Sequence, residues 1–431
     1  MQRKPDAVEP SSAPRSPFSV LRSPLPEVAL LTAGRDRPYA LGLAAALMAA
    51  GVKFDFIGSD EVDSPKLHTS PQIRFLNLRG EQNVDAGLSK KVLRILVYYG
   101  RLIRYALTSK PRIFHILWNN KFELFDRTVL MLYYRLLGKK IVFTAHNVNA
   151  GARDGNDSWL NLATLKFQYH RCDHVFLHTE KMRAELVSAF GVPEHKASVI
   201  PFGLNSTVPD TALTTEEARK RLGLRPPEKV LLFFGNIAPY KGLEYLIEAF
   251  IELHKADRRR RETAPGVPTS DFRLIIAGRP KGSETYWSAI LEKIHASPVR
   301  GRFILKIEYV PDDETEIYFK AADVLVLPYA HIFQSGVLFL GYNFGLPVIA
   351  ADVGSLKAEI VEGRTGFVFP ARDTAGLIRA IENYFASDLH AGLKKRRHDI
   401  KQFARERYSW TEVARLTMDV YARLSSRVEP A

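Results

Sequence analysis

Three short stretches carry residue types suited to holding a phosphorylated, hydroxyl-rich ligand. In FFGNIAPYKG an apolar run ends at Gly235 and Asn236, and Lys241 follows after Pro239. Glycine lets the backbone approach an anion, a helix start offers N–H groups at the positive end of a dipole, and Lys241 adds a full charge. The spacing is neither GxxxxGK[ST] nor GxGxxG, so neither nucleotide fingerprint applies. In FQSGVLFLGYNFG, Gln334, Ser335 and Gly336 precede an apolar stretch. An uncharged helix start there could cradle a phosphate through its N–H groups and the Ser335 hydroxyl, or Ser and Gly could simply cap the helix. In KIVFTAHN, His146 and Asn147 fall where a strand meets its loop, and downstream Arg153, Asp154 and Asp157 crowd a segment that could contact hydroxyls or merely turn. A single His is usually structural; a position at a strand end is what makes His146 a candidate. The chain has no D-x-D triplet, no HExxH, no Cys/His cluster and no GxSxG elbow, so neither a dedicated metal site nor an α/β-hydrolase is expected.

The elements that would position these residues repeat one grammar twice. PEVALLTAG is an apolar run ending at Gly34, a helix-like stretch follows from Tyr39 to Ala50, and VKFDFIG reads as a second strand. IRFLNL, RIFHIL, KIVFTAH, HVFLHT and ASVIPFG continue the series, with intervals long enough for crossover helices. The pattern restarts near residue 229 with KVLLFFGN, FRLIIAG, RFILKIEYV, DVLVLPY, LPVIAAD and TGFVFP. The expected fold class is α/β, with two Rossmann-like doubly wound parallel-sheet domains. Open sheets of this kind bind ligands at the carboxyl ends of their strands, so facing crests would make one deep inter-domain cleft. Between the halves, Thr214 or Thr215 is placed as an N-cap ahead of Glu216 and Glu217.

The expected domains are a disordered leader at 1–26, a first domain at 27–207, a second at 208–395, and a C-terminal helix at 396–431 packing back on the first. The leader expectation rests on six Pro and five Ser without an apolar segment. Val324 to Ala351 lacks any charge and is longer than the roughly 20 residues of a membrane span. Pro328, His331, Gln334, Ser335, Gly336, Asn343 and Pro347 interrupt it, which predicts a buried strand, loop, helix and strand instead.

Of 431 residues, 61 are Lys or Arg and 47 Asp or Glu, a net charge of +14, with 46% apolar residues, 25% charged and one Cys. This is globular composition, and the single Cys172 points to a reducing, cytoplasmic setting. The basic excess is concentrated: residues 88–140 hold twelve Lys or Arg against Glu123 and Asp126. Within it Lys90, Arg94, Arg101 and Arg104 share an arc of about 80° on a helix that also offers Leu93, Leu96, Leu102, Ile103 and Leu107. That helix reads either as a solvated face or as a site for anionic lipid, with Tyr98, Tyr99 and Tyr105 as interfacial aromatics. No helix-turn-helix, zinc-finger or RNP pattern supports nucleic-acid binding. Two further basic runs, Arg258–Arg261 in a Pro-containing loop and Lys394–Arg397 near a helix end, read as solvated surface.

Taken in order, VALLTAG, TAHN, RCDHVFLHTEKMRAEL to SVIPFG, FFGNIAPYKGLEYLIEAF, RLIIAG, AADVLVLPY, SGVLFLGYNFGLPVIAADVGSLKAEIVEGRTGFVFP and a terminal helix resemble a retaining GT-B glycosyltransferase of family 4, over residues 27–425. The resemblance implies a nucleotide-sugar donor held by the second domain and a glycan or lipid-linked acceptor by the first, without cofactor or metal. It implies that Lys241 pairs with the donor diphosphate and that Ser335, Gly336 and Val337 offer it a helix start. His146 would lie beside the transferred sugar, Tyr309 and Val310 in the loop that meets the base, and Glu359 at an acidic position more structural than catalytic. The chain departs from the family in having Asn236 where an Arg is usual, and Ile332 and Leu340 where a pair of glutamates is usual. Sugar and ribose recognition must then come from other groups, Gln334 being the candidate. A sugar-nucleotide-binding protein without transferase activity and a sugar-nucleotide epimerase are the alternatives on the same fold. The basic helix adds a peripheral position on the cytoplasmic membrane face as an expectation.

Overall fold

The computed structural model describes residues 27–426 apart from 35, 83–86, 150, 152–156, 206, 264–270 and 281. The expected leader at 1–26 lies outside the described residues, as do Arg153 and Asp154. The first sheet comprises β1 (Val28–Leu31), β2 (Phe54–Gly58), β3 (Ile73–Asn77), β4 (Ile113–Ile116), β5 (Lys140–Thr144), β6 (His174–Leu177) and β7 (Ala197–Val199), all parallel, in the order 3-2-1-4-5-6-7. The second comprises β8 (Lys229–Phe234), β9 (Phe272–Ala277), β10 (Phe303–Lys306), β11 (Val324–Leu327), β12 (Val348–Ala351) and β13 (Gly366–Phe369), also parallel, in the order 10-9-8-11-12-13. Each order reverses beside its first strand, so the switch points lie at β1/β4 and β8/β11, where open α/β sheets place their ligands.

The central strands are apolar on both faces because helices cover both sides. Thus β1, β4, β6, β11 and β12 are buried at every position. The charge-free stretch resolves into β11, the helix Gly336–Asn343 and β12, and among the described residues no helix is long and apolar enough to cross a membrane. Thr214 caps the helix Thr215–Arg221 in a reciprocal capping box with Glu217.

Three sequence expectations are corrected. The helix after β8 runs from Leu243 to Thr263 and includes the basic run Arg258–Arg261, since no breaker precedes Pro265. Arg397 is not solvated surface: its guanidinium donates to the carbonyls of Phe319, Phe344 and Ala322. The helix Leu393–Arg407 buries Ile400 and Ala404 in the second domain's core, so the chain crosses to the first domain at Ser409, later than position 396. Beyond that crossing the helix Trp410–Ser426 packs on the first domain with Val413, Met418, Tyr421 and Leu424, and the Tyr421 hydroxyl bonds His115 Nδ1 at 2.7 Å.

Candidate functional site

The crests of the two sheets enclose a cavity of about 390 Å³. The second domain lines it with Tyr240, Lys241, Ile332, Gln334, Ser335, Gly336, Val337, Phe339 and Leu340; the first lines it with Asp36, Pro38, Tyr39 and Phe202. Gly203, Leu204, Asn205 and Trp410 line the wall where the chain crosses between domains. Phe202 stacks on Phe339 at 5.1 Å, and the Asn343 amide donates to the Asn205 carbonyl, so the two halves touch directly at the cavity's edge.

On the second domain the local backbone sets the site. The β8 strand turns at Gly235, φ 103°, and the tight turn Pro239–Lys241 closes on Gly242, φ 61°. A Cβ on Gly242 would stand 2.1 Å from the Pro328 carbonyl oxygen, and one on Gly278 would stand 1.8 Å from the Gly235 carbonyl oxygen. Glycine at 242 and 278 therefore lets three strand ends close up beneath the turn. Lys241 is buried, 6% exposed, and its ammonium donates to the Tyr329 hydroxyl at 2.7 Å. The same ammonium lies 4.2 Å from the Tyr329 ring centre, a cation–π contact. The Tyr329 hydroxyl in turn shares a hydrogen bond with Ser335 Oγ at 3.2 Å. Ser335 is the N-cap of Gly336–Asn343 without capping that helix through its side chain, and the opening N–H groups of any helix lack intrahelical partners. Burial raises the Tyr329 phenol, which keeps it neutral and able to donate. The result is a fixed cation, two hydroxyls and a helix start on one wall. Gln334 adds a buried amide oxygen with no hydrogen-bond partner among the described residues.

On the first domain the structure revises the place of His146. Its ring stacks face to face on Trp118 at 4.1 Å, meets Tyr39 edge-on at 4.6 Å, and shares a hydrogen bond from Nδ1 to His178 Nε2 at 3.1 Å. Tyr39 and Phe202 line the cavity and His146 does not. Tyr39, about a hundred residues earlier in the chain on the first turn of the helix Arg37–Ala49, therefore stands between His146 and the cavity. Burial, with His178 and His115 nearby, lowers the His146 imidazole well below its ordinary range, so it is neutral. Its Nε2 is buried and has no partner among the described residues. Asn147 is half-buried beside it. Gly34, φ 63°, ties the turn after β1, where its carbonyl accepts from Gln82.

Asp36 was not foreseen. It caps the Arg37–Ala49 helix by accepting from the Tyr39 N–H at 3.3 Å and adopts a left-handed backbone, φ 43°. Its side chain is exposed to the open cleft, and the protein crowded around it raises its carboxyl above the usual range by desolvation. Tyr329 and Trp410 were missed too. A tyrosine closing an apolar strand and a tryptophan near the C-terminus carry no local signal of a cleft.

Several expected residues lie elsewhere. Asn236 is exposed outside the cavity lining, as is Tyr309, whose ring lies 5.5 Å from the Arg279 guanidinium; Val310 is buried. The Glu359 carboxylate turns away from the cavity to accept from the Tyr408 hydroxyl, with Arg407 at 3.6 Å. Ile332 and Leu340 do line the cavity, so apolar side chains stand where the family resemblance implies carboxylates.

Residues 38–208 match the profile of Glycosyltransferase Family 4, and residues 228–387 that of Glycosyl transferases group 1. A D-inositol 3-phosphate glycosyltransferase of Streptomyces bingchenggensis is 32% identical over 255 residues, 58% of this chain and 52% of its own length. This chain thus matches about half of that relative. The enzyme of the same name from Gordonia bronchialis is 24% identical over 421 residues, covering 94% of this chain and 87% of its own. Among solved structures, sucrose-phosphate synthase from Thermosynechococcus elongatus shares the fold with a TM-score of 0.70 at 18% identity, covering 94% of this chain and 100% of that one. Anabaena HepE in complex with UDP-glucose does so at 0.66 and 14% identity, with coverage of 94% and 100%. With two family profiles matched in order, on two Rossmann-like sheets that meet at a common cavity, the chain belongs to the GT-B glycosyltransferases of family 4.

Proposed function

We propose that the enzyme moves a sugar, with retention of anomeric configuration, from a nucleotide-sugar donor to a hydroxyl of a glycan or lipid-linked acceptor, in polysaccharide or glycolipid assembly at the cytoplasmic face of a membrane. The observation that carries the donor half of this reading is the wall formed by Lys241, Tyr329, Ser335 and the start of Gly336–Asn343. A fixed cation and preorganised N–H dipoles stabilise charge on a departing diphosphate, and no step of this reading calls for a metal. The solved relative HepE is in complex with UDP-glucose, and the catalytic domain of starch synthase IV from Arabidopsis thaliana is bound to ADP and acarbose, which supports a nucleotide-linked donor here.

Retention follows from the family resemblance. In a front-face substitution the bond from the anomeric carbon to the phosphate oxygen breaks and the bond to the acceptor oxygen forms on the same side. The acceptor proton passes to the departing phosphate. Lys241 and the helix start hold that phosphate. Tyr39, backed by His146 and Trp118, shapes the first-domain wall, and His146 is a positioning residue rather than a base. Gln334 offers its unpartnered amide oxygen to a sugar hydroxyl.

A thermal-shift panel of sugar nucleotides tests the donor reading, since a ligand bound only to the folded state raises the melting temperature. One base and sugar should stand out, and the shift should vanish in Lys241→Ala. Normal donor turnover by folded Lys241→Ala and Ser335→Ala enzymes would show the site to be misplaced.

A further inference from the structure

Of the eighteen large apolar side chains exposed among the described residues, fifteen lie between Leu88 and Leu162. Fourteen of these come from three segments packed side by side, and Phe122 immediately precedes the second. The helix Leu88–Thr108 presents Leu88, Leu93, Leu96 and Leu107; the helical run from Glu123 to Leu136 presents Leu124, Val129 and Leu136; the start of the helix Trp159–Arg171 presents Trp159, which is 78% exposed, and Leu160. Tyr133 of the second segment donates to the Ile103 carbonyl of the first at 3.0 Å, and Arg127 donates to Asn161 of the third at 2.8 Å. The apolar groups therefore form one platform on one face of the first sheet.

The aromatics expected at an interface are not part of it. Tyr98, Tyr99 and Tyr105 are buried beneath, donating to Asn120 at 2.5 Å, Asp126 at 2.9 Å and Asp55 at 2.6 Å. They anchor the helix, and because the inward face is occupied by these tyrosines, Leu102 and Ala106, the leucines face outward.

We propose that this platform seats the enzyme on the surface of an anionic lipid bilayer, with all three segments inserting apolar side chains. The charge pattern selects that occupant. Lys90, Lys91, Arg94, Arg101 and Arg104 rise from the same helix, and no acid occurs from Leu88 to Phe122. A surface that is apolar and basic at once matches the acyl and headgroup layers of an anionic membrane. The position of the platform agrees. The helix Leu88–Thr108 begins after β3 and ends before β4, so Leu88 and Val92 stand at the carboxyl end of the sheet; Phe122 and Trp159 lie in the segments that follow β4 and β5. The platform thus runs up to the crest that faces the cavity, where a lipid-borne acceptor would enter. This deepens the proposed function and rests on its reading of a lipid-linked acceptor.

Sedimentation of the full chain with vesicles of phosphatidylcholine, and of phosphatidylcholine with 30 mol per cent phosphatidylglycerol (about one anionic lipid in three, the composition class in view), tests the proposal. Binding is expected at least about tenfold tighter to the anionic vesicles. Leu93→Asp with Leu96→Asp should weaken it by about tenfold or more, and so should Leu124→Asp on the second segment. A blue shift of tryptophan emission on vesicle addition should be lost in Trp159→Phe. The donor thermal shift, measured on the same variants, should be unchanged, which shows them folded. No binding to either vesicle, binding indifferent to these substitutions, or a concentration-dependent dimer abolished by them without vesicle binding would overturn the proposal. Loss of the donor shift in every sugar nucleotide with vesicle binding intact would instead refute the donor reading alone.

Discussion

The two halves of the chain share a strand order and differ in how each builds its wall of the cavity. The second half uses backbone. Gly235, Gly242 and Gly278 all have positive φ, at Gly242 and Gly278 the strand ends approach until only a Cα–H fits, and Lys241 rests on that scaffold. The first half uses side chains. Its turn after β1 places Ala33 at φ 51° and Asp36 at φ 43°, conformations that cost a non-glycine residue about 1 kcal/mol or more each. Above it Tyr39, Trp118, His146, His178 and Phe202 pack ring on ring. Backbone dipoles suit a ligand part that every donor shares, a diphosphate. A wall of side chains can be redrawn by substitution, as would befit the proposed acceptor.

The contrast should show most strongly in acid. Burial holds His115 and His174 down to about 3 and His178 to about 4, whereas an unfolded imidazole titrates near 6.5. Between those values the unfolded chain binds more protons, so stability falls as pH drops through 6.5 and goes on falling toward 4. The loss is about 2 kcal/mol per histidine at pH 5. Asp126, whose buried carboxyl is raised to about 6, takes up a proton in the folded state and offsets about 1 kcal/mol of it. The second half has His254 and His390 shifted in the same direction, but only half-buried. Hydrogen exchange from pH 7.5 to pH 5 should therefore deprotect the first sheet before the second. Simultaneous loss, or loss from the second sheet first, would mean that the buried imidazoles do not set the difference.

Next in size is Lys241→Ala. If Lys241 faces a departing diphosphate as proposed, removing its charge should lower kcat/KM by about 10²–10³-fold. Arg in its place should not restore full activity, because a planar fork cannot hold the Tyr329 hydroxyl and ring as an ammonium does. A comparable loss from His146→Ala would contradict the view that His146 acts only through Tyr39.

The glycines give a matched pair. A methyl at Gly278 would meet backbone at 1.8 Å with φ at 146°, and neither group can move aside. Gly278→Ala should cost about 3 kcal/mol or more. A methyl at Gly34 would meet the ends of Gln82 and Ser59 at 2.6 Å, side chains able to swing away, so Gly34→Ala should cost nearer 1 kcal/mol. Equal costs in denaturant melts would remove the distinction between a backbone-built and a side-chain-built wall.

How far the sequence alone reaches follows the same division. Strand runs such as VLLFF and VLVL announce themselves as unbroken apolar runs, and the second-domain wall is legible because Gly235, Lys241 and Ser335 sit at strand and helix ends readable from local pattern. The first-domain wall is not, because Asp36, Tyr39, Phe202 and Trp410 converge only when segments far apart in the chain pack together on the first sheet. Trp410 shows why: its ring fits where a Cβ on Gly42 would come within 2.2 Å and one on Gly203 within 2.5 Å, and its Nε1 donates to Leu204 at 2.7 Å. Residues far apart in sequence, each ordinary alone, make that joint. His146 was legible as a strand-end residue, but its stacking on Trp118 depends on the neighbouring strand β4. The buried tyrosines of Leu88–Thr108 were misassigned because helical periodicity gives an angle around the axis without saying which side meets the sheet.

The smallest effect tests the acceptor wall most finely. Asn is as good an N-cap as Asp and tolerates a left-handed backbone, so Asp36→Asn should leave stability within about 0.5 kcal/mol of the parent. Asp36→Ala loses the cap and should cost about 1 kcal/mol. The two variants separate charge from capping. If Asp36 orients an acceptor hydroxyl across the cavity from Lys241, Asn and Ala should lower transfer alike, by about tenfold, a typical share for one charge-assisted hydrogen bond. Donor hydrolysis in the absence of acceptor should then be unchanged. If Asp36 serves only the helix, transfer should follow stability, with Asn like the parent and Ala alone impaired. Transfer rate set against melting temperature for these two variants thus decides whether the strain at φ 43° belongs to the acceptor site or to the turn that carries it.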